Sequence, residues 1–295
     1  NGEVLPGYMF TDNGFWDTFR AVYPFFNMMY PEQNNNIMEG LANTYKESGW
    51  LPEWASPGHR ACMIGSNSAP IIADAYLKGN IKNEKTAEIL FEAILKNATV
   101  EEGRPVRSVG REGLHYYNTL GYVPYDVNIR ENAAKTLEYA YDDFCISAMA
   151  KAMGEELIAN EFEKRSYNFL NIHDPSTGFM RAKRGAQWYD PFNPSEVNFN
   201  YTEANSWQYS LYAPQHIETL TQLLGGKDKL ELWLDSLFLS NSELDGREQA
   251  DITGLIGQYA HGNEPSHHMA YLYNYTNNPS KTQFFVDSIQ RSMYS

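Results

Sequence analysis

Apolar residues recur every three or four positions along most of this 295-residue chain. In "PEQNNNIMEGLANTYKESGW", Ile37, Met38, Leu41 and Tyr45 fall on one helical face and Gly49 closes the segment. "NEKTAEILFEAILKNAT" sets out Ala87, Leu90, Phe91 and Ile94 in the same way. The longest pattern, "RENAAKTLEYAYDDFCISAMAKAMG", carries Leu137, Tyr141, Phe144, Ala148 and Met149 as a stripe that runs to Gly154. "EELIANEFEKRSYNFLNIHD", "APQHIETLTQLLGG", "KDKLELWLDSLFLS", "PSHHMAYLYNYTNN" and "PSKTQFFVDSIQRSMYS" behave likewise, the last two with Pro and Ser where a helix begins. No run alternates with period two for long enough to argue for a sheet. The pattern predicts one mainly α domain of paired helices over residues 1–295, since no linker or composition break divides it.

Two stretches escape the periodicity. "GREGLHYYNTLGYVPYDVN" and "DPSTGFMRAKRGAQWYDPFNPSEVNFN" read as long loops rich in Trp, Tyr, Gly and Pro. Long loops in a compact domain usually carry function. The second delivers the chain to Glu203, which lies among Phe199, Tyr201, Trp207, Tyr209 and Tyr212.

Composition narrows the ligand. Aromatic residues make up 14% of the chain, with 21 Tyr and 6 Trp, side chains that pair an apolar face with a polar handle. Such faces suit a ligand that is part apolar and part hydroxylated, and a carbohydrate fits best. A Tyr-rich helical core is the alternative. The net charge of −14 repels nucleic acid and anionic membranes. No apolar run reaches the roughly 18 residues of a membrane span, and "NGEVLPGYMF" lacks the order of a signal peptide. Cys62 and Cys145 stand alone, without disulfide-framework or zinc spacing, and read as two buried thiols.

Four clusters mix rings with acids and amides: "DNGFWDTFR", "GWLPEWASPGHRACMIG", "NYTEANSWQY" and "GLIGQYAHGNEPSHH". Hydrolysis of a glycosidic bond generally needs two carboxyls, one protonated to donate to the leaving oxygen and one ionised. A carboxyl surrounded by rings is held toward its neutral form, which makes Glu203 the candidate acid. Its alternative is a Glu in the first helical turn after Thr202. Asp17, beside Trp16, reads as substrate-binding or as an N-terminal acid on a helix reaching Tyr30. Glu264 precedes Pro265, which favours an extended backbone for it, so it binds a ligand or caps the helix that follows. His261, His267 and His268 match no zinc spacing, whereas Asn263 and Glu264 offer the hard oxygens that suit calcium. Asp142 and Asp143 point about 100° apart on a helix, so one is expected to be a solvated acid and the other a buried acceptor. The sequons at Asn97, Asn200 and Asn274 read as chance.

Taken in order, "GFWDTFRAVYP", "YKESGWLPEWASPG", "CMIGSNSAPIIADAYLKG", "KTLEYAYDDFCISAMAKAMG", "TGFMR", "YTEANSWQY", "GLIGQYAHGNEPSHHMAYLYNY" and "KTQ" resemble glycoside hydrolase family 92, the calcium-dependent exo-acting α-mannosidases. The resemblance implies an (α/α)6 toroid ringed by the long loops. It implies Glu203 as general acid, Trp16 and Asp17 in the pocket for the terminal mannose, and Asn263 and Glu264 at the junction of pocket, calcium and leaving sugar; Trp207, one of the rings beside Glu203, is a further substrate-binding candidate. It further implies inversion of configuration, a calcium ion that contacts O2 and O3 of the mannose, and an extracellular or periplasmic location. The family's N-terminal β-sandwich has no counterpart in this sequence. Nor does its base motif, resembling "GNEDxGxMSAW", which places the base beyond Ser295 and makes the chain a catalytic-domain fragment. Two other readings stay open at this point, a non-catalytic mannose-binding fragment and another (α/α)6 glycosidase.

Overall fold

The computed structural model describes residues 3–294. Helices dominate, as the periodicity requires. In chain order they are α1 (Phe15–Thr18), α2 (Val22–Met29), α3 (Pro31–Ser48), α4 (Ser68–Leu77), α5 (Glu84–Thr99), α6 (Leu114–Leu120), α7 (Asn132–Met153), α8 (Glu156–Arg165), α9 (Ser206–Tyr209), α10 (Ile217–Leu223), α11 (Lys227–Leu239) and α12 (Ser280–Met293). The chain forms two compact units. One holds the residues up to Gly121 with Glu138–Tyr167; the other holds Tyr122–Leu137 and the chain from Asn168 onward.

In the first unit α3, α4 and α5 pack against one another, and α2 lies on α3 and α4. Ile37, Met38 and Leu41 of α3 and Ala87, Leu90, Phe91 and Ile94 of α5 are buried, as their spacing predicts. Each Leu, Ile or Phe so buried contributes about 1.5–3 kcal/mol. Asn83 caps α5 by accepting the backbone N–H groups of Lys85 and Thr86. Gly49 ends α3 at φ 77° and Gly154 follows α7 at φ 81°, left-handed positions that cost glycine no steric penalty.

Several expectations need correction. The helix expected to reach Tyr30 breaks between Thr18 and Val22 into α1 and α2. The first long loop contains α6. α4 was not evident in the pattern because almost every side chain from Ser68 to Ala75 is buried, so it shows no polar face to set a period. α7 is likewise buried from Asn132 to Ala140, and the predicted stripe is not its most buried face: Tyr141, Phe144 and Ala148 are half-buried. The segment "PSHHMAYLYNYTNN" forms 3-10 turns, at 264–266 and 269–275, rather than an α-helix.

The second unit holds α9 to α12 and most of the short strands. The second long loop is built from two hairpins, β3 (His173–Asp174) with β4 (Phe179–Met180) and β5 (Lys183–Arg184) with β6 (Gln187–Trp188). They are numbered after β1 (Asn13–Gly14) and β2 (Trp54–Ala55), which pair in the first unit. Arg181 braces the loop, donating to Asp174 Oδ2 at 2.9 Å and to the carbonyl of Tyr189. Further along, β7 (Glu196–Val197) runs parallel to β8 (Asp245–Gly246), and β9 (Leu255–Ile256) pairs antiparallel with β10 (Tyr259–Ala260).

Candidate active site

In the second unit "NYTEANSWQY" and "GLIGQYAHGNE" are stitched together by amide side chains. Asn205 caps α9 in a reciprocal box with Gln208. Asn205 Nδ2 also donates to Gln258 Oε1 at 2.9 Å, and Gln208 Nε2 to the Gln258 carbonyl at 3.2 Å. Five residues further on, Asn263 Nδ2 donates to the backbone carbonyl of Glu203 at 2.7 Å. All four side chains making these bonds are buried, so water does not compete for them.

Glu203 is half-buried and lies two residues ahead of the α9 cap, with φ 49°. The first-turn alternative therefore falls away. A non-glycine residue in the left-handed region costs of order 1–3 kcal/mol, and such residues gather at functional sites because the surrounding structure must enforce them. Here the Asn263 clamp and the Asn205 cap enforce it.

The rings around Glu203 divide by role. Tyr201, Tyr209 and Tyr212 are buried framework, with Tyr201 Oη donating to the Met180 carbonyl at 2.7 Å. Trp207 is half-buried and packs edge-on against Phe179 at 4.7 Å and beside Trp233 at 5.1 Å. Phe199 is half exposed beneath the guanidinium groups of Arg130 and Arg247.

Asn263 is the extended residue at the start of the 3-10 turn, and Glu264 opens the turn itself. This places the extended backbone one residue earlier than the following proline suggested. Asn263 commits its amide nitrogen to Glu203, which leaves Oδ1 as its oxygen donor beside the Glu264 carboxylate. Among the described residues no group of three or more His, Cys, Asp or Glu side chains is placed to hold a metal. The oxygens of Asn263 and Glu264 are the hard donors calcium prefers, and calcium's six to eight ligands routinely include backbone carbonyls and water. The donor chemistry fits calcium and not zinc.

In the first unit Trp16 is 1% exposed, and its indole Nε1 donates to Glu138 Oε1 at 3.0 Å. Arg20 Nη2 reaches the same oxygen at 3.3 Å, while its guanidinium lies 4.7 Å over the Trp16 ring. Asp17 is half-buried within α1.

Beneath this turn lies a group of acids that the sequence reading did not resolve. Asp142 and Asp143 are both fully buried, so the expected solvated acid is absent. Asp143 pairs with Arg111 and Arg165 and accepts the Tyr117 hydroxyl. Asp142 Oδ2 accepts the backbone N–H and the hydroxyl of Ser66. Glu53 does the same for Ser68 and also accepts from Asn97. Burial raises the Asp142 carboxyl to about 7 against the opposing pull of Arg111. Burial, reinforced by the Asp142 charge, raises Glu53 well above the usual carboxylate range. Glu138 and Asp142 stand one helical turn apart in an otherwise apolar run, which was the available signal. Cys145 is buried as expected, whereas Cys62 is only partly so. The sequon residues Asn97 and Asn200 are buried.

Long loops rich in rings that lead to a backbone-strained acid supply the parts a saccharide-processing site would use. The comparisons make that class specific: the profile of the glycosyl hydrolase family 92 catalytic domain matches residues 2–295, and the chain belongs to that family. It is similar to the family 92 inverting mannosidase BT2199 of Bacteroides thetaiotaomicron, at 40% identity and TM-score 0.89, over 100% of this chain and 41% of that one. It is similar also to the α-mannosidase BT3965 of the same bacterium, solved with mannoimidazole, at 33% identity and TM-score 0.89, over 99% of this chain and 39% of that one. An uncharacterized secreted glycosidase of Arthroderma benhamiae is 32% identical over 274 residues, covering 81% of this chain and 33% of that protein. The chain thus spans 33–41% of these relatives' lengths. No helix among the described residues is long and apolar enough to cross a membrane.

Proposed function

We propose that this chain contributes to an exported, inverting, calcium-assisted exo-α-mannosidase, and that Glu203 is its general acid. The observation that carries the reading is the backbone of Glu203, held at φ 49° with its carbonyl clamped by Asn263, the residue beside Glu264. The similarity to mannosidases over the whole chain supports it, as does the family profile, which treats residues 2–295 as part of one catalytic domain. The description of one relative as secreted supports export.

In this reading Glu203 protonates the exocyclic oxygen as the bond to the terminal mannose breaks, because an alkoxide leaving group needs a proton. Trp16 and Asp17 are read as binding the terminal sugar, and Trp207 as a substrate-binding ring of the unit that carries Glu203. The bond that Trp16 donates to Glu138 fixes its indole and so the turn that carries Asp17. Asn263 and Glu264 would hold the calcium ion through their side-chain oxygens. When bound, the ion supplies a hard Lewis-acidic partner for vicinal sugar hydroxyls. No residue of this chain is assigned as the water-activating base.

Glu203→Gln in the full-length protein tests the assignment. The expected result is a loss of about 10²–10⁴-fold on mannobiose, the usual contribution of general acid catalysis. An aryl mannoside with a good leaving group should lose far less. Equal losses on the two substrates would refute the acid role, and mannose binding without any turnover by the wild type would favour a non-catalytic binding protein.

A further inference from the structure

The turn that carries Trp16 and Asp17 is held at two points, and both holds belong to the buried acids of the first unit. Its backbone joins β2: Gly14 pairs with Trp54, and the Phe15 N–H donates to the Glu53 carbonyl at 3.0 Å. Its indole joins α7, by the bond from Trp16 Nε1 to Glu138 Oε1 at 3.0 Å. Asp142 lies one helical turn beyond Glu138. We propose that Glu53 and Asp142 form a carboxyl pair that keeps one proton between them, and that this pair positions the Trp16–Asp17 turn for sugar binding.

Three observations carry the proposal. The first is that both carboxyls grip one short segment. Glu53 accepts the Ser68 N–H at 3.0 Å and its hydroxyl at 2.8 Å, while Asp142 accepts the Ser66 N–H at 2.8 Å and its hydroxyl at 3.1 Å. Ser66 and Ser68 flank Asn67 where α4 begins, and the acids are close enough there for the Asp142 charge to raise Glu53. The second is a charge imbalance. Four buried carboxyls, Glu53, Glu138, Asp142 and Asp143, meet three guanidinium groups. Arg20 pairs with Glu138, whereas Arg111 and Arg165 both pair with Asp143. Among the described residues neither Glu53 nor Asp142 has an ion-pair partner. Full ionisation would leave a carboxylate uncompensated in a dry interior, so one carboxyl stays neutral. The third is a bare oxygen. Asp142 Oδ1 is buried and has no hydrogen-bond partner among the described residues, which disfavours the charged form. The remaining groups around the pair do not supply the missing charge. Tyr139, Tyr141 and Cys145 are all shifted upward, Tyr139 and Cys145 by burial and Tyr141 by Cys145, and so stay neutral. Asp74 of α4, which acts on Cys145, is paired with Lys78.

Glu53 connects the pair to the turn, because the residue whose side chain is tied to Ser68 is the residue whose carbonyl holds Phe15. When the pair loses its proton, two like charges repel across the Ser66–Ser68 segment, and Glu53 carries that displacement to the turn. Sugar bound at the turn therefore favours the protonated pair, and binding draws in a proton wherever the free pair is partly ionised. That the turn binds sugar rests on the proposed function; the retained proton does not.

The test uses full-length Glu203→Gln protein, in which the proposed acid no longer titrates. Calorimetric titration with methyl α-mannoside, in constant excess calcium, is run from pH 6 to pH 9. The Kd is expected to rise about tenfold, the equivalent of one pKa unit of coupling between proton and sugar. At pH 8, titrations in two buffers of different ionisation enthalpy should show proton uptake on binding. Adding Asp142→Asn should flatten the pH dependence and abolish the uptake, and adding Glu53→Gln in its place should do the same. Infrared difference spectra between pH 6 and pH 9 should show a protonated-carboxyl band lost from the parent protein and missing from the Asp142→Asn variant. A Kd independent of pH in the parent protein, or a pH dependence and uptake that survive both variants, would overturn the proposal. The parent measurements decide even where a variant fails to fold. Mannoside hydrolysis by the wild type, with neither band nor uptake in the parent, would sink the pair alone. The band with no mannoside bound or hydrolysed would sustain the retained proton and sink the mannosidase reading, and with it the sugar-binding role of the turn.

Discussion

Glu138→Ala removes a carboxylate whose Oε1 serves two donors. Trp16 Nε1 lies 3.0 Å from Oε1 and Arg20 Nη2 lies 3.3 Å from it. With Trp16 1% exposed, water cannot replace the lost acceptor, and an orphaned buried donor costs about 1–3 kcal/mol. Arg20, whose side chain is 11% exposed against 0% for Glu138, loses its carboxylate. Breaking a buried ion pair from one side costs about 3–5 kcal/mol. Because one oxygen serves both partners, the two costs overlap, and the variant should lose about 4 kcal/mol. At about 2–4 °C per kcal/mol for a large domain, the melting midpoint should fall by about 8–16 °C. Glu138→Gln keeps an oxygen for the indole and removes only the charge, so its loss should be about half as large. Thermal melts followed by circular dichroism read the ranking directly. In the proposed pocket the same two variants should raise KM more than they lower kcat, because the turn that loosens carries Asp17. A Glu138→Ala midpoint within 2 °C of wild type would refute the reasoning. Equal damage from Gln and Ala would show that the indole bond contributes nothing.

The buried acids set a pH dependence. Burial lifts Asp142 to about 7, and it lifts Glu53 above the usual range with help from the Asp142 charge. The groups around them are Glu138, Asp143 and Arg111. A carboxyl whose folded pKa exceeds its unfolded value binds its proton more tightly when folded. Its contribution is therefore complete below about pH 4 and is lost as pH rises through the folded value. Melts at pH 5 and pH 8.5 should show the lower midpoint at pH 8.5, with a smaller difference in Asp142→Asn; a wild type more stable at pH 8.5 would contradict this. Chelation should abolish mannoside hydrolysis by the full-length protein, and added calcium should restore it. Full activity in excess chelator would dismiss the Asn263–Glu264 assignment.

Residue order alone determined the features that depend on neighbours within a turn or two. It fixed α3 and α5, their buried faces and the glycines that end α3 and follow α7, because a helix with one wet face must repeat its apolar residues at 3.6-residue spacing. It also brought Glu203, Asn263 and Glu264 forward as candidates, since acids and amides among rings have few uses in a core. Helices covered on nearly every side were hidden, because α4 and much of α7 have no wet face to mark a period. The burial of both Asp142 and Asp143 was hidden too, for it needs Arg111 and Arg165, which approach from other elements. The left-handed backbone of Glu203 was equally beyond reach. It is a strained conformation that nothing in "YTEAN" demands, and it is held by Asn263 from 60 residues away. Periodicity records which side of a helix meets water, whereas charge compensation and backbone strain depend on partners distant in sequence, and only the tertiary structure brings those partners within bonding distance.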